Sequence, residues 1–242
     1  MLAELLGNAQ HIAAHASPVA ASAAPDAANQ DRGPEDATKL AHAAMVRIRS
    51  CMQSIQFIDL RLGCTLDSLT GSLGAPVLHA RPPCVRFFDV LDHAALSIAL
   101  VIVPPGSCIP LHDHPGMHVF SKVLAGQLDA EMFDVDDSLP PFAVPSGLTV
   151  GVGKLRTITL RTGDLCELTP VVGNIHGLTC TGHETAVLLD VMLPPYPSNG
   201  ACHYFAATDS SAQLSVIDEA LAWAMCEDPA EGRRVSARNI IV

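Results

Sequence analysis

The stretch PLHDHPGMHVFSKVLAG, from Pro110 to Gly126, places three histidines within seven residues. In an extended strand, successive side chains alternate between two faces, so His112 and His114 point the same way and Asp113 points the opposite way. Pro115 and Gly116 predict a turn that ends this segment. The spacing therefore delivers two imidazoles to one point, as a metal site requires.

A third ligand has to come from another part of the chain. His176 in GNIHGLT, residues 173–179, follows a glycine and precedes an apolar strand, which favours a side chain at the mouth of a barrel. In a continuous strand, His118 would lie on the same face as His114. The predicted turn interrupts the strand, so we expect His118 outside the ligand set. The remaining histidines stand in weaker contexts, where exposure or a hydrogen bond is the favoured interpretation: His11, His15, His42, His79, His93 and His183.

The centre of the chain has the pattern of many short strands. Apolar and β-branched runs are separated by Gly, Pro and Asp, a pattern typical of an all-β barrel or sandwich. Helical spacing of apolar residues predicts one helix from about Ala37 to Ile58, and a second near the C-terminus through Leu214, Ile217, Leu221 and Ala224. The predicted strands cover residues 85–91, 96–103, 118–124, 127–135, 157–161 and 185–193.

The 242 residues suit one sizeable domain. Residues 8–37 are dominated by Ala, Ser, Asn, Asp and Pro without lasting periodicity, so we predict a disordered leader over 1–36 and a single domain over 37–242. Residues 136–153 are predicted to form a surface insertion between two strands.

The composition excludes several classes of function. A net charge of −11 argues against nucleic acid or an anionic membrane as a partner, since both are bound chiefly through Lys and Arg. No apolar run reaches the roughly 20 residues of a transmembrane helix. Without the charged region of a secretory signal, a cytoplasmic protein is expected, and the eight cysteines, which form no CxxC, are predicted to be free thiols.

Two sets of residues resemble the paired motifs of the cupin superfamily: Gly106, His112, His114 and Gly126, then Gly163, Pro170, Gly173 and His176. The usual cupin glutamate is absent near His118. More closely, IPLHDHPGM, FSKVLAG, GNIH and LDVMLPPY resemble the plant cysteine oxidases and their animal relative, cysteamine (2-aminoethanethiol) dioxygenase, over roughly residues 40–205.

This resemblance implies a jelly-roll cupin barrel, also called a double-stranded β-helix, with flanking N-terminal and C-terminal helices. It implies Fe(II) held by His112, His114 and His176, and dioxygenation of a thiol by O2 to a sulfinic acid. The substrate is an N-terminal cysteine of a protein or peptide, in an oxygen-sensing step of an N-degron pathway, or else cysteamine, which yields hypotaurine. A monomer in the cytoplasm is expected, with the nucleus an alternative.

Iron in such a site makes chemical sense. Three neutral ligands leave the full charge of the ion and three open positions for a thiolate, its amine and O2. Zinc has no redox chemistry, so the reaction that the resemblance implies favours iron, although the ligand set alone does not decide the metal.

Four further side chains are candidates for the site. Asp190 interrupts the apolar run TAVLLDVML, and the resemblance places it in the iron pocket, where it would orient the substrate amine or a water; capping a turn or pairing with Arg86 or Arg161 is the alternative. The resemblance makes Tyr196 a pocket tyrosine. It also allows a covalent link between Cys202 and Tyr204, which share a face of a strand; the alternative is a free cysteine packed beside a tyrosine.

Ala125 stands where this family usually has a tyrosine, in the motif KVLYG, which leaves the shape of the pocket open. A dioxygenase of small thiols is therefore one alternative function. A metal-binding cupin module without catalysis is another. A zinc hydrolase is less favoured, because the chain has no HExxH motif and no nucleophile with an adjacent base.

Overall fold

The computed structural model describes residue 7 and residues 34–60, 65–66, 85–137, 139–140, 144–153, 155–196, 202–226 and 233–236. The elements in chain order are helix α1 (Pro34–Ser54), a 3-10 helix (Phe57–Leu60), strands β1 (Arg86–His93), β2 (Leu96–Val103), β3 (Cys108–His112), β4 (His118–Ala125), β5 (Gln127–Phe133), β6 (Thr149–Gly151), β7 (Arg156–Arg161), β8 (Leu165–Leu168), β9 (Ile175–Thr179), β10 (Ala186–Leu193), β11 (Tyr204–Ala207) and β12 (Gln213–Ile217), helix α2 (Glu219–Met225) and strand β13 (Arg233–Ser236).

The strands form two sheets that pack face to face. One has the order β13-β1-β2-β10-β4-β8, and the other has the order β6-β12-β11-β3-β9-β5-β7. The chain crosses from β3 in the second sheet to β4 in the first and returns to β5 in the second, which is the path of a jelly roll. The predicted all-β cupin barrel with flanking helices is therefore confirmed.

Strand β10 explains why its sequence is almost continuously apolar. Leu188 and Met192 face a cluster between the two sheets, whereas Val187, Leu189 and Val191 face a second cluster under helix α1. A strand covered on both faces loses the usual alternation of apolar and polar residues. Position 190 falls on the interior face, so its carboxylate is placed inside the barrel.

Helix α1 closes the outer face of the first sheet. Ile48, Met52 and Ile55 are fully buried against it. The ammonium group of Lys122 on β4 donates hydrogen bonds to the carbonyls of Gln53 (2.6 Å) and Ile55 (2.9 Å), which satisfies acceptors that the end of the helix leaves open. The helix begins at Pro34, three residues before the predicted domain start, and most of the predicted leader lies outside the described residues.

The predicted C-terminal helix is only partly correct. Leu214 and Ile217 belong to β12, where Leu214 and Val216 alternate into a small cluster with Phe205. The helix starts later, because the side chain of Asp218 accepts a hydrogen bond from the amide of Ala220 and caps it. The predicted insertion at 136–153 contributes the edge strand β6, which pairs with β12, while positions 138 and 141–143 lie outside the described residues.

The prediction that all cysteines are free is wrong for one pair. Cys108 on β3 and Cys226 after α2 form a disulfide, with their Cα atoms 5.8 Å apart and a sequence separation of 118. Such a pairing depends on tertiary proximity, which spacing along the chain does not reveal. Cys51, Cys166, Cys180 and Cys202 are free thiols, and Cys64 and Cys84 lie outside the described residues.

Among the described residues, no helix combines the length and the apolar character that crossing a membrane requires.

Candidate metal centre

The structure brings together the three histidines that the sequence predicts as ligands. His112 ends β3 and His176 lies opposite it on the neighbouring strand β9, while His114 follows two residues after His112. Their ligand atoms all lie within 4.8 Å of one another, and this is the group of metal-ligating residues found in the described part of the chain. His118 starts β4, beyond the turn at Pro115 and Gly116, and stays outside the group.

Two of the motif glycines occupy positions that only glycine fits well. Gly173 has a φ of +64°, and a Cβ atom at this position would lie 2.6 Å from the Cε atom of Met132. Gly126 turns β4 into β5 with a φ of +76°, and a Cβ there would lie 2.8 Å from the backbone of Ala186. Both motif glycines are therefore required by backbone conformation and close packing.

Hydrogen bonds determine which ring nitrogen of His112 and of His114 is available to bind a metal. Nδ1 of His112 lies 2.8 Å from the carbonyl oxygen of Pro110, and because a carbonyl can only accept, Nδ1 donates. The Tyr196 hydroxyl donates to the carbonyl of Asp113 (2.9 Å) and therefore accepts from Nδ1 of His114 (2.7 Å). Both rings thus carry their proton on Nδ1, and Nε2 keeps a free lone pair for a metal.

Burial keeps all three rings neutral. Desolvation lowers the pKa of His112, despite the opposing bond to Pro110, and lowers the pKa of His114 and His176 well below the ordinary value. Nε2 of His114 lies 2.9 Å from Nε2 of His176. Two nitrogen ligands at about 2.1 Å from one ion, at right angles, are separated by about 3 Å, so the two rings fit a shared divalent cation.

Asn174 links the two segments that carry the ligands. Its amide group donates to the carbonyls of His114 and Thr169, at 2.9 Å each, and its side chain is 1% exposed. Asn174 was not among the residues predicted for the site. The signal was available, since a polar side chain beside a ligand in GNIH requires a partner once it is buried.

Asp113 points away from the histidine cluster, as the alternation along the strand predicts, and is 2% exposed. Its partner is His203, which was likewise not among the predicted site residues. His203 sits between Cys202 and Tyr204, and the local pattern contains no signal for a partner so distant in the chain.

Asp190 lies in the middle of β10 and faces the barrel interior, so it does not cap a turn. It hydrogen-bonds Ser121 on β4 rather than Arg86 or Arg161, and its Oδ1 atom has no hydrogen-bond partner within the described residues. Burial raises the pKa of this carboxyl group to about 6. An orphaned oxygen in a buried carboxylate is costly unless it serves a ligand.

Cys202 and Tyr204 lie at the edge of the site. Tyr204 is the register partner of His112, and the centroids of their rings are 6.3 Å apart. Burial and a hydrogen bond with the Cys202 side chain raise the pKa of Tyr204. The Tyr204 hydroxyl also donates to Glu219 at the start of α2 (3.1 Å).

Comparison with known proteins gives one family. A family model described as PCO_ADO matches residues 52–234. The chain is 31% identical over 138 residues to a probable 2-aminoethanethiol dioxygenase of Dictyostelium discoideum, which covers 55% of this chain and 60% of that one. The human 2-aminoethanethiol dioxygenase is 29% identical over 207 residues, which cover 76% of this chain and 70% of that one. Plant cysteine oxidase 2 of Arabidopsis thaliana is 35% identical over 129 residues, which cover 52% of this chain and 45% of that one.

The chain spans about 60% of the length of the first of these relatives. Among solved structures, it is similar to a cupin superfamily protein from Desulfitobacterium hafniense DCB-2 (TM-score 0.32, 16% identity, 48% of this chain and 82% of that one). It is also similar to an uncharacterized protein with a double-stranded β-helix domain from Klebsiella pneumoniae (TM-score 0.35, 20% identity, 54% and 93%).

Proposed function

Because the chain belongs to the PCO_ADO family, we propose that it is an Fe(II)-dependent thiol dioxygenase that converts the thiol of an N-terminal cysteine to a sulfinic acid with O2. The observation that carries this proposal is the convergence of three neutral imidazoles, two buried and one half-buried, in a group that contains no carboxylate among the described residues. His112, His114 and His176 would hold the metal through nitrogen atoms.

Bound Fe(II) would supply the redox chemistry that joins a thiol to O2, which zinc lacks. The chain itself holds the ligands in place. Tyr196 keeps the proton of His114 on Nδ1, and the carbonyl of Pro110 does the same for His112. Asn174 ties the two ligand segments together.

We assign Asp190 to the substrate amine. An N-terminal cysteine and cysteamine both carry a cationic amine two carbons from the thiol, and a buried carboxylate is the natural partner for such a cation. The unpartnered Oδ1 atom supports this role, as does a carboxyl group whose burial raises its pKa to about 6 and which ionises more readily beside a cation.

We also propose that Cys202 and Tyr204 can become joined by a thioether between Sγ and a carbon of the phenol ring. The reaction removes the thiol hydrogen and one ring hydrogen as two protons and two electrons, and O2 accepts them and is reduced to hydrogen peroxide. The hydrogen bond between the two side chains supports this proposal. Mass spectrometry of the tryptic peptide from iron-loaded protein would detect the loss of two hydrogen atoms.

Substrate choice separates two forms of the proposal. Iron-loaded protein is incubated in air with a Cys-initiated peptide and, separately, with cysteamine, and the products are identified by mass spectrometry. A gain of two oxygens on the peptide supports the leading form, and a gain on cysteamine alone makes the protein a small-thiol dioxygenase. Protein with His176→Ala is the control, and it should form neither product.

A metal-binding cupin module without catalysis is the alternative from another class. It predicts bound iron with no oxidation of either thiol, an outcome that would overturn the dioxygenase proposal. If the peptide is oxidised, we further propose an oxygen-sensing step of an N-degron pathway, carried out by a monomer in the cytoplasm or nucleus. Peptide turnover measured against O2 concentration tests that role, since a sensor requires an apparent KM for O2 above cellular levels.

A further inference from the structure

The buried pair Asp113 and His203 joins strands β3 and β11, which share a single register pair. The strands β6, β12 and β11 continue the sheet of β3, but β11 pairs with β3 through a single register pair, Tyr204 and His112. The start of β11 therefore depends on contacts other than a regular ladder of hydrogen bonds.

Asp113 and His203 supply those contacts. The carboxylate of Asp113 accepts from the backbone N–H of His203 at 2.6 Å and from its Nδ1 at 2.8 Å, one bond to each oxygen. The backbone N–H of Asp113 donates in return to the carbonyl of His203 at 3.1 Å. The two side chains are only 2% and 3% exposed, so water does not weaken these bonds.

Asp113 is connected to both tyrosines of the chain. Its carbonyl accepts from the hydroxyl of Tyr196, and its carboxylate fixes the residue that precedes Tyr204. Tyr196 acts on His114, whereas the ring of Tyr204 stands beside that of His112 and its hydroxyl hydrogen-bonds the Cys202 side chain. The histidine ligands have their own supports in hydrogen bonds with Pro110, Tyr196 and Asn174.

We propose that Asp113 and His203 are positioning residues, whose buried hydrogen-bonded pair holds Tyr204 and Cys202 beside the three-histidine site so that the thiol substrate is bound there. This inference rests on the proposed thiol dioxygenase function. It separates two tasks: the pair orients the wall of the site formed by β11, and other residues hold the ligands for the metal.

Variants of His203 test this separation of tasks. The side-chain nitrogen of His203→Asn occupies nearly the position of Nδ1 and can still donate to Asp113, whereas that of His203→Gln reaches nearer to Nε2. His203→Ala removes the donor altogether. The exposed His183, changed to Ala, is the matched control outside the site.

The readout uses the fact that the chain has two tyrosines. Protein labelled with 3-fluorotyrosine gives two fluorine NMR signals, which Tyr204→Phe assigns. Co(II) bound at the site shifts each signal according to the distance and orientation of its ring relative to the metal. This measurement requires no turnover, so it stands even if the proposed dioxygenase activity fails.

We expect the Ala and Gln variants to bind one Co(II) with an affinity within about threefold of the wild type, because the ligand supports remain. The Tyr204 signal should lose its normal cobalt shift and the Tyr196 signal should keep it. With iron, KM for the Cys-initiated peptide should rise about tenfold while kcat changes by less than about threefold. His203→Asn should show the wild-type cobalt shift of Tyr204 and the wild-type KM. His183→Ala should leave both quantities unchanged.

Two results would overturn the inference. Normal cobalt shifts and a normal KM in the Ala and Gln variants would show that the pair is dispensable. Loss of Co(II) binding together with both shifts would show that it only maintains the fold. If His203→Ala does not fold, the comparison of Asn with Gln decides by the same criteria.

Discussion

At the scale of single residues, the hydroxyl of Tyr196 decides which nitrogen of His114 carries a proton. It has one hydrogen, which it gives to the carbonyl of Asp113, so it must accept from the histidine. Hydrogen bonds of this kind around metal ligands typically change affinity by about 10- to 100-fold when removed.

We therefore expect Tyr196→Phe to weaken Co(II) binding by about 10- to 100-fold, because Nδ1 of His114 loses the partner that fixes its proton. Competition with a chelator of known affinity measures the change. The control is Tyr204→Phe, which removes a hydroxyl that bonds Glu219 rather than a ligand and should leave the affinity nearly unchanged. Equal affinities of the two variants would contradict this account of His114.

Asp190 links stability to pH. Its pKa in the folded protein lies near 6, above the ordinary value of 3.8, so the unfolded chain releases this proton first as the pH rises. As the pH rises from about 4 to about 6, ionisation of Asp190 therefore lowers the free energy of unfolding, by about 3 kcal/mol in total. The loss persists at higher pH.

In metal-free protein, Asp190→Asn should relieve this cost. We expect its stability advantage over the wild type to be about 2 kcal/mol larger at pH 8 than at pH 4.5. Urea unfolding of both proteins at the two pH values measures this difference, and the other acidic groups cancel in the comparison. An advantage that does not vary with pH would show that the carboxylate is not buried as described.

At the scale of elements, Lys122 fastens helix α1 to the barrel. Its side chain is 7% exposed, and its ammonium group donates to two carbonyls at and beyond the end of that helix. Removing the ammonium group leaves the carbonyls of Gln53 and Ile55 without this donor in a largely buried position.

We expect Lys122→Met to lower the free energy of unfolding by about 1–3 kcal/mol, since methionine keeps the apolar stem and loses only the donor. Arg47→Met, at an exposed position of the same helix, is the matched control and should change stability by less than about 0.5 kcal/mol. Chemical denaturation followed by circular dichroism compares the two. Similar midpoints for both variants would contradict the role of Lys122.

Local rules account for the elements that sequence reasoning predicted well. The alternation of side chains along a strand places His112 and His114 together, and the motif around His176 completes the cluster. The same kind of rule fails for Leu214, which fits helical spacing but belongs to a strand because β11 offers a partner. The contact between Asp113 and His203 spans 90 residues, so only the tertiary fold reveals it.

At the scale of the whole molecule, the disulfide joins the strand that leads to the metal site with the C-terminal helix. Cys108 and Cys226 have a sequence separation of 118, so the disulfide closes a long loop. In the chain-entropy model, closing a loop of this size removes much of the freedom of the unfolded state and stabilises the fold by up to about 5 kcal/mol.

We expect Cys226→Ser to lose about 2–5 kcal/mol of stability, and dithiothreitol to destabilise the wild type by a similar amount. The variant itself provides the control, because the reductant should have no further effect on it. Thermal unfolding of the wild type and the variant, each with and without dithiothreitol, measures the four stabilities. A wild type that is insensitive to the reductant, with no free thiols exposed on reduction, would contradict the contribution of the disulfide.

The proposed function holds that a metal bound by the three histidines of this barrel supports the insertion of both atoms of O2 into a thiol. The measurement that tests it most directly is oxidation of a Cys-initiated peptide by iron-loaded protein under ¹⁸O2, followed by mass spectrometry of the product. The account predicts a sulfinic acid in which both new oxygen atoms carry the label, with no such product from His176→Ala. A product containing oxygen from water, or equal oxidation by the variant, would contradict it.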